Sequence, residues 1–251
     1  MRAADLAVIT VPTDDDIPAV TSADLLGVRS VLVLAPHPDD ESLACGGLLA
    51  AAFQRSAPRA HVVCLTDGAA SHPASKTMKS AELAALRRQE LCAAVTHLGG
   101  AESDVSWIGA PDGDLTVSEP ILAAILNLAR AAGSGLLLAP SPLDPHCDHL
   151  AGAEIGRHIA QRLPAFRLCF YPVWSRWHGG GTAPVPEGTH AVRLPTAAYR
   201  PMKSAAIATH RSQQGLLIDD DPDGFEMPPG FASFFTERDE LFFMSDQGGQ
   251  P

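Results

Sequence analysis

Residues 30–50, SVLVLAPHPDDESLACGGLLA, run apolar, break abruptly into a cluster of metal-type ligands, and turn apolar again. Val31, Leu32, Val33 and Leu34 make a short β-branched-rich run, as expected of a parallel strand buried on both faces. Pro36 and Pro38 end it, and Pro38 is tolerated at a helix start, where its missing N–H removes a donor that would be orphaned anyway. Asp39, Asp40 and Glu41 then fall near the positive end of the next helix's dipole. Leu43, Ala44, Leu48, Leu49, Ala51, Ala52 and Phe53 supply that helix with a buried face, which Gly46 and Gly47 weaken locally. The unit reads strand–turn–helix. In open α/β sheets ligands bind beyond the carboxyl ends of the strands, where His37, Asp39 and Asp40 fall.

Taken alone, Pro-Asp-Asp-Glu also serves as an ordinary helix start, its carboxylates chosen for capping and dipole. A second stretch argues for more. Residues 136–150, LLLAPSPLDPHCDHL, repeat the design: an apolar run, two prolines, then Asp144, His146, Asp148 and His149 ahead of another helix. Two adjacent strands would bring the clusters to one sheet edge. His37, Asp40 and His149 would then offer a metal two imidazoles and one carboxylate, leaving positions for water and substrate.

With these residues in view, HPDDE at 37–41 followed by Gly46-Gly47, together with DPHCDH at 144–149, resembles the PIG-L/LmbE family. The resemblance extends to Arg87 and Glu90, to Asp112, and to the stretch from Lys203 through His210, Ser212 and Gln213, so it takes in most of residues 30–215. It implies a zinc-dependent N-deacetylase with a Rossmann-like three-layer α/β/α sandwich. It assigns Asp39 as general base and makes Arg87 and Asp112 substrate contacts. Zinc on His37, Asp40 and His149 would polarise the acetamide carbonyl and lower the pKa of its water toward about 7. His146 would face the developing oxyanion or protonate the leaving amine, unless it is a third imidazole on the metal. Asp148 would orient an imidazole. Cys147 stands where many relatives carry proline, and its thiolate is one further candidate ligand. Fe2+ or another divalent ion is an alternative, since availability as well as affinity selects the metal.

Bulk properties set the frame. At 251 residues the chain can bury one substantial α/β core. Its net charge of −11 argues against nucleic acid or an anionic membrane as partner. Cys45, Cys64, Cys92, Cys147 and Cys169 are odd in number and widely spaced, unlike a secreted disulfide framework, so a reducing cytoplasm is expected. No signal segment and no membrane-spanning apolar run is apparent. The expected organisation is an N-terminal arm over 1–28, with a strand at Leu6–Val11, a single domain over 29–246, and a frayed tail at Gln247–Pro251. The arm could reach a neighbouring copy, which leaves a homo-oligomer open.

Along the chain, His61–Thr66 reads as a strand ending in Asp67-Gly68, where Asp67 is a turn residue or helps shape the site. Ser80–Leu98 carries a helical stripe stopped by Gly99-Gly100. Arg87 and Glu90, three apart, can also pair on that helix's surface. Val105–Ala110 and Gly135–Ala139 read as strands, Ile121–Ala132 and Ala151–Arg162 as helices, and Phe166–Trp174 as strand-like. This alternation implies a mostly parallel sheet. Trp174, Trp177 and the loop from His178 form a candidate rim with an indole to stack on a sugar, against the plainer alternative of buried packing. His190–Leu194 reads as a strand, Pro201–His210 as a helix, Leu216–Ser233 as a long surface loop and Glu240–Met244 as a last strand. Neither G-x-G-x-x-G nor a P-loop is present.

Three function classes follow. Hydrolysis of an N-acetyl group on an amino sugar or its conjugate, a small-molecule substrate, uses both clusters and Asp39. A non-haem iron enzyme would use the same two-histidine, one-carboxylate set but leave Asp39 unexplained. A non-catalytic metal- or small-molecule-binding module would retain its activity after Asp39→Ala.

Overall fold

The computed structural model describes residues 16–27, 29–56, 60–133 and 135–246. In chain order its elements are α1 (Ser22–Leu26), β1 (Ser30–Ala35), α2 (Asp40–Phe53), β2 (Ala60–Thr66), α3 (Ser80–His97), β3 (Val105–Ala110), α4 (Glu119–Ala132) and β4 (Gly135–Pro140). They continue with α5 (Cys147–Arg162), β5 (Phe166–Tyr171), α6 (Trp174–His178), β6 (Thr189–Leu194), α7 (Arg200–Thr209), α8 (Phe231–Glu237) and β7 (Glu240–Ser245).

Alternation along β1 builds the layers. Val31 and Val33 join one core cluster with residues of α2, α3, α7 and α8, whereas Leu32 and Leu34 join another with residues of α4 and α5. Each such side chain, once fully buried, contributes about 1.5–3 kcal/mol. The sheet order is β3-β2-β1-β4-β5-β7-β6. The first five strands are parallel, and β7 runs antiparallel to both β5 and β6. This is the expected mostly parallel α/β/α sandwich. From β1 the chain winds outward to β2 and β3, then returns to β4 on β1's other side. Strand order therefore reverses between β1 and β4, the crevice where such sheets take ligands.

Helix α2 is buried over its whole length rather than on one face. Gly46 and Gly47 explain how. A Cβ at Gly47 would lie 2.4 Å from Thr196 Cγ2, and one at Gly46 would lie 3.0 Å from Lys203 Cγ. The N–H groups of Gly47 and Leu48 donate to the two Glu240 oxygens at 2.6 and 2.9 Å, and Lys203 Nζ donates to Glu240 Oε1 at 2.7 Å. An ion pair is thus inserted against the middle of the helix that starts at the ligand cluster.

Several expectations need correction. Helix α5 begins at Cys147 rather than Ala151, with His146 as its N-cap, so Asp148 and His149 lie in its first turn. The strand expected to run through Trp174 ends at Tyr171, and Trp174 opens α6. The segment expected as a surface loop from Leu216 to Ser233 buries Ile218, Met227 and Phe231. In the described part of the arm, Val20 N donates to Arg193 O and Arg193 N to Pro18 O, covering the β6 edge. The expected strand at Leu6–Val11 and the tail at 247–251 lie outside the described residues.

Candidate active site

β1 and β4 pair directly, Ser30 with Gly135 through Val33 with Leu138, and so deliver both ligand clusters to one edge. Asp40 Oδ2 lies at the centre, 3.4 Å from His37 Nδ1 and 3.4 Å from His149 Nε2. Each imidazole is held from behind by a carboxylate. Asp148 Oδ2 is 3.0 Å from His37 Nε2, and Asp144 Oδ2 is 3.0 Å from His149 Nδ1. Asp148 is fixed by N–H donors from Gly113 and Leu115. Asp144 accepts from Val173 N and from the Ser175 N–H and hydroxyl. Carboxylate-backed imidazoles facing a third carboxylate are the usual support for a metal.

The charges agree. Burial alone would disfavour the His37 imidazolium, yet Asp112, Asp148 and Asp40 outweigh it and raise its pKa well above the ordinary value. Burial likewise opposes the His149 cation, but Asp40 and Asp144 push it up to about 9. His37 and His149 in turn hold Asp40 well below the carboxylate range against its own burial. His149 Nε2 is buried without a hydrogen-bond partner. An orphaned imidazole nitrogen beside Asp40, with more carboxylates around it, fits a divalent cation that takes His37, Asp40 and His149.

His146 caps α5 by accepting from Asp148 N at 3.2 Å through Nδ1, so its neutral ring carries the proton on Nε2. Burial, with His37 and His149 nearby, lowers its pKa and keeps it neutral. Its ring centre lies 4.7 Å from that of His37 and 5.4 Å from that of His149. His37, His146 and His149 also have ring nitrogens within 4.8 Å of one another, which keeps a third imidazole ligand geometrically open. The Cys147 thiol contacts Gly113 O and Asp148 Oδ1.

Asp39 is buried, and burial pushes its pKa up to about 6 against the pull of Arg87. Arg87 Nη2 donates to Asp39 Oδ2 at 3.2 Å and to Pro38 O, while Nη1 donates to Gly68 O. A Cβ at Gly68 would lie 2.7 Å from Arg87 Nη1, so this glycine makes room for the guanidinium. The surface Arg87–Glu90 pair is not formed. Both residues point inward, and Glu90 accepts from the Ser212 N–H and hydroxyl. Asp112 Oδ1 is 3.3 Å from His37 Nε2, and Asp112 is held by Ala70 N and, through its own N–H, by Asp67. Asp67 is therefore the turn residue that fixes Asp112.

His37, Asp39, Asp40, Arg87, Asp112 and His146 line a cavity of about 510 Å3 that also includes Trp174 and Gln213. Trp177 does not line it but packs on Phe231 and Phe234. Sequence reasoning gave no role to Asp144 or Gln213, and none to Phe225, Met227 or Phe231. The signal for Asp144 lay in its position at the head of the second cluster. Gln213 stands in the late stretch that carries the family resemblance, whereas Phe225, Met227 and Phe231 have no signal beyond apolar residue type in weakly patterned sequence.

The chain is thus a Rossmann-like α/β protein with a buried imidazole–carboxylate cluster at the switch point of its sheet. Known proteins narrow this class. A family model described as PIG-L, GlcNAc-PI de-N-acetylase, matches residues 32–160. A probable N-acetyl-alpha-D-glucosaminyl L-malate deacetylase 2 of Bacillus anthracis is 31% identical over 194 residues, 74% of this chain and 81% of that protein. The chain belongs to the PIG-L family of de-N-acetylases. Its fold matches that of N,N'-diacetylchitobiose deacetylase from Pyrococcus horikoshii, with TM-score 0.62 at 23% identity over 90% of this chain and 86% of that one. A 4-carboxy-2-hydroxymuconate hydratase from Pseudomonas putida has TM-score 0.59 at 18% identity, covering 83% of each chain. The frame alone therefore does not select the reaction.

Proposed function

We propose that the protein is a metal-dependent hydrolase that removes an N-acetyl group from an amino-sugar conjugate. The observation that carries this is the orphaned His149 Nε2 beside Asp40, which lines the cavity together with the buried Asp39. His37, Asp40 and His149 would hold the ion, zinc by resemblance or Fe2+ by availability. When bound, it would supply a Lewis acid for the acetamide oxygen and an acidified water. Asp39, freed from its proton near neutrality, takes the water's proton as general base. Arg87 fixes the base's position and favours its anionic form. His146, with its proton on Nε2, donates to the oxyanion or to the departing nitrogen. One water is consumed: its oxygen bonds the acyl carbon, the C–N bond breaks, and its protons end on the products, acetate and a free amine. Five free cysteines suit a reducing, cytoplasmic setting.

The test is acetate release from N-acetylglucosamine derivatives by zinc-loaded wild type and Asp39→Asn, with bound metal quantified in both. The expected result is a loss of roughly 10²–10⁴-fold in kcat with metal retained. Full activity in the variant would remove Asp39 as base, and wild type that binds no divalent ion would remove the metal site.

A further inference from the structure

The catalytic groups fill only part of the cavity. The same space is lined by Leu43, Trp174, Phe225, Met227 and Phe231. The Trp174 ring centre lies 5.8 Å from that of Phe225 and 5.2 Å from that of Phe231, so the aromatic part is one continuous surface. The wall is built rather than draped. Phe225 N donates to Ser71 O at 2.6 Å and Met227 N to Gln213 O at 2.7 Å. The Asp220 carboxylate accepts from Lys76 N, Thr77 N and the Ser75 hydroxyl, and Asp221 accepts from Ala74 N. Two loops are thereby locked together, holding apolar side chains against a space water must otherwise fill. Such a surface is recovered only by burying apolar area. An acetyl group brings one methyl, and an amino sugar is otherwise polar.

We infer that the substrate carries an apolar group larger than acetyl, seated against Trp174, Phe225 and Met227, as its aglycone or as its N-acyl chain. This rests on the amide-hydrolase reading above. Two series on the zinc-loaded protein separate the sources: N-acetylglucosaminides with methyl, butyl and hexyl aglycones, and glucosamines N-acylated with acetyl, butanoyl and hexanoyl groups. One series should gain roughly fourfold in kcat/KM per added methylene over the first few carbons, and the other should stay flat. The rising series identifies the group. Phe225→Ala should cut that gain to less than about twofold per methylene, read as a ratio within the variant. Both series flat or falling, with acetate still released, would overturn the inference and leave the deacetylase reading standing. A variant keeping the full gain would overturn the assigned seat. If no compound is hydrolysed, calorimetric binding of the same series decides. Affinity rising roughly fourfold per methylene supports the apolar seat while removing the hydrolase reading, and binding that ignores chain length, or none, overturns both.

Discussion

Asp39 and Arg87 form a buried ion pair, and on the proposed mechanism their coupling sets the pH response. Burial raises the Asp39 pKa to about 6, while Arg87 pulls it down. A base works when deprotonated, so kcat/KM falls as pH drops through that pKa, and a bound dication moves this acid limb below 6. Removing the guanidinium should move it the other way: in Arg87→Gln the limb of a pH–rate profile rises by about one unit or more. The imidazoles give a second expectation. His37 is raised well above its ordinary value and His149 to about 9, so in the metal-free protein at pH 7 both are cationic. A metal must displace both protons. Titration calorimetry in buffers of different ionisation enthalpy should show about two protons released per ion, with affinity falling as pH is lowered.

At the scale of elements, α2 connects the cluster to the body of the protein. Its buried middle rests on Glu240, which accepts from Gly47 and Leu48 and binds Lys203, each partner about 1% exposed. Glu240→Gln leaves the Lys203 ammonium buried without its counter-charge and should cost about 3–5 kcal/mol in denaturant unfolding. Gly47→Ala places a methyl 2.4 Å from Cγ2 of the fully buried Thr196, whose N–H and hydroxyl are held by Asp239 and Arg238, and should cost about 1–3 kcal/mol. Neither effect is visible in the sequence of α2, whose two glycines read as weak points. They are places where another element comes close.

For the whole molecule, the site stitches the two halves of the sheet, since His37 and Asp40 follow β1 and His149 follows β4. Metal binding only the folded state should therefore stabilise the entire domain. At a free zinc concentration about 100-fold above Kd the gain is about 2.7 kcal/mol, a rise in Tm of roughly 5–10 °C that a chelator reverses, readable by calorimetry.

Fold class and the metal-type cluster are both legible in the order of residues along the chain. Local rules suffice for both: β-branched runs between helical stripes dictate a parallel sheet, and strand ends carry ligands. That is why His37, Asp39, Asp40, His146, Asp148 and His149 are legible from residue type and spacing, and why the β1 and β3 boundaries agree almost residue for residue with the local pattern. The rest emerges only once the chain is folded. Asp144 as the support of His149, Arg87 turned inward on Asp39, and the apolar wall from Phe225 to Phe231 all depend on contacts between segments far apart in the chain. No local pattern encodes those. An arginine on a helix reads as solvated until a glycine elsewhere makes room for it. A segment rich in Asp, Pro and Gly reads as surface until its carboxylates find backbone donors on another loop and turn its phenylalanines into the cavity.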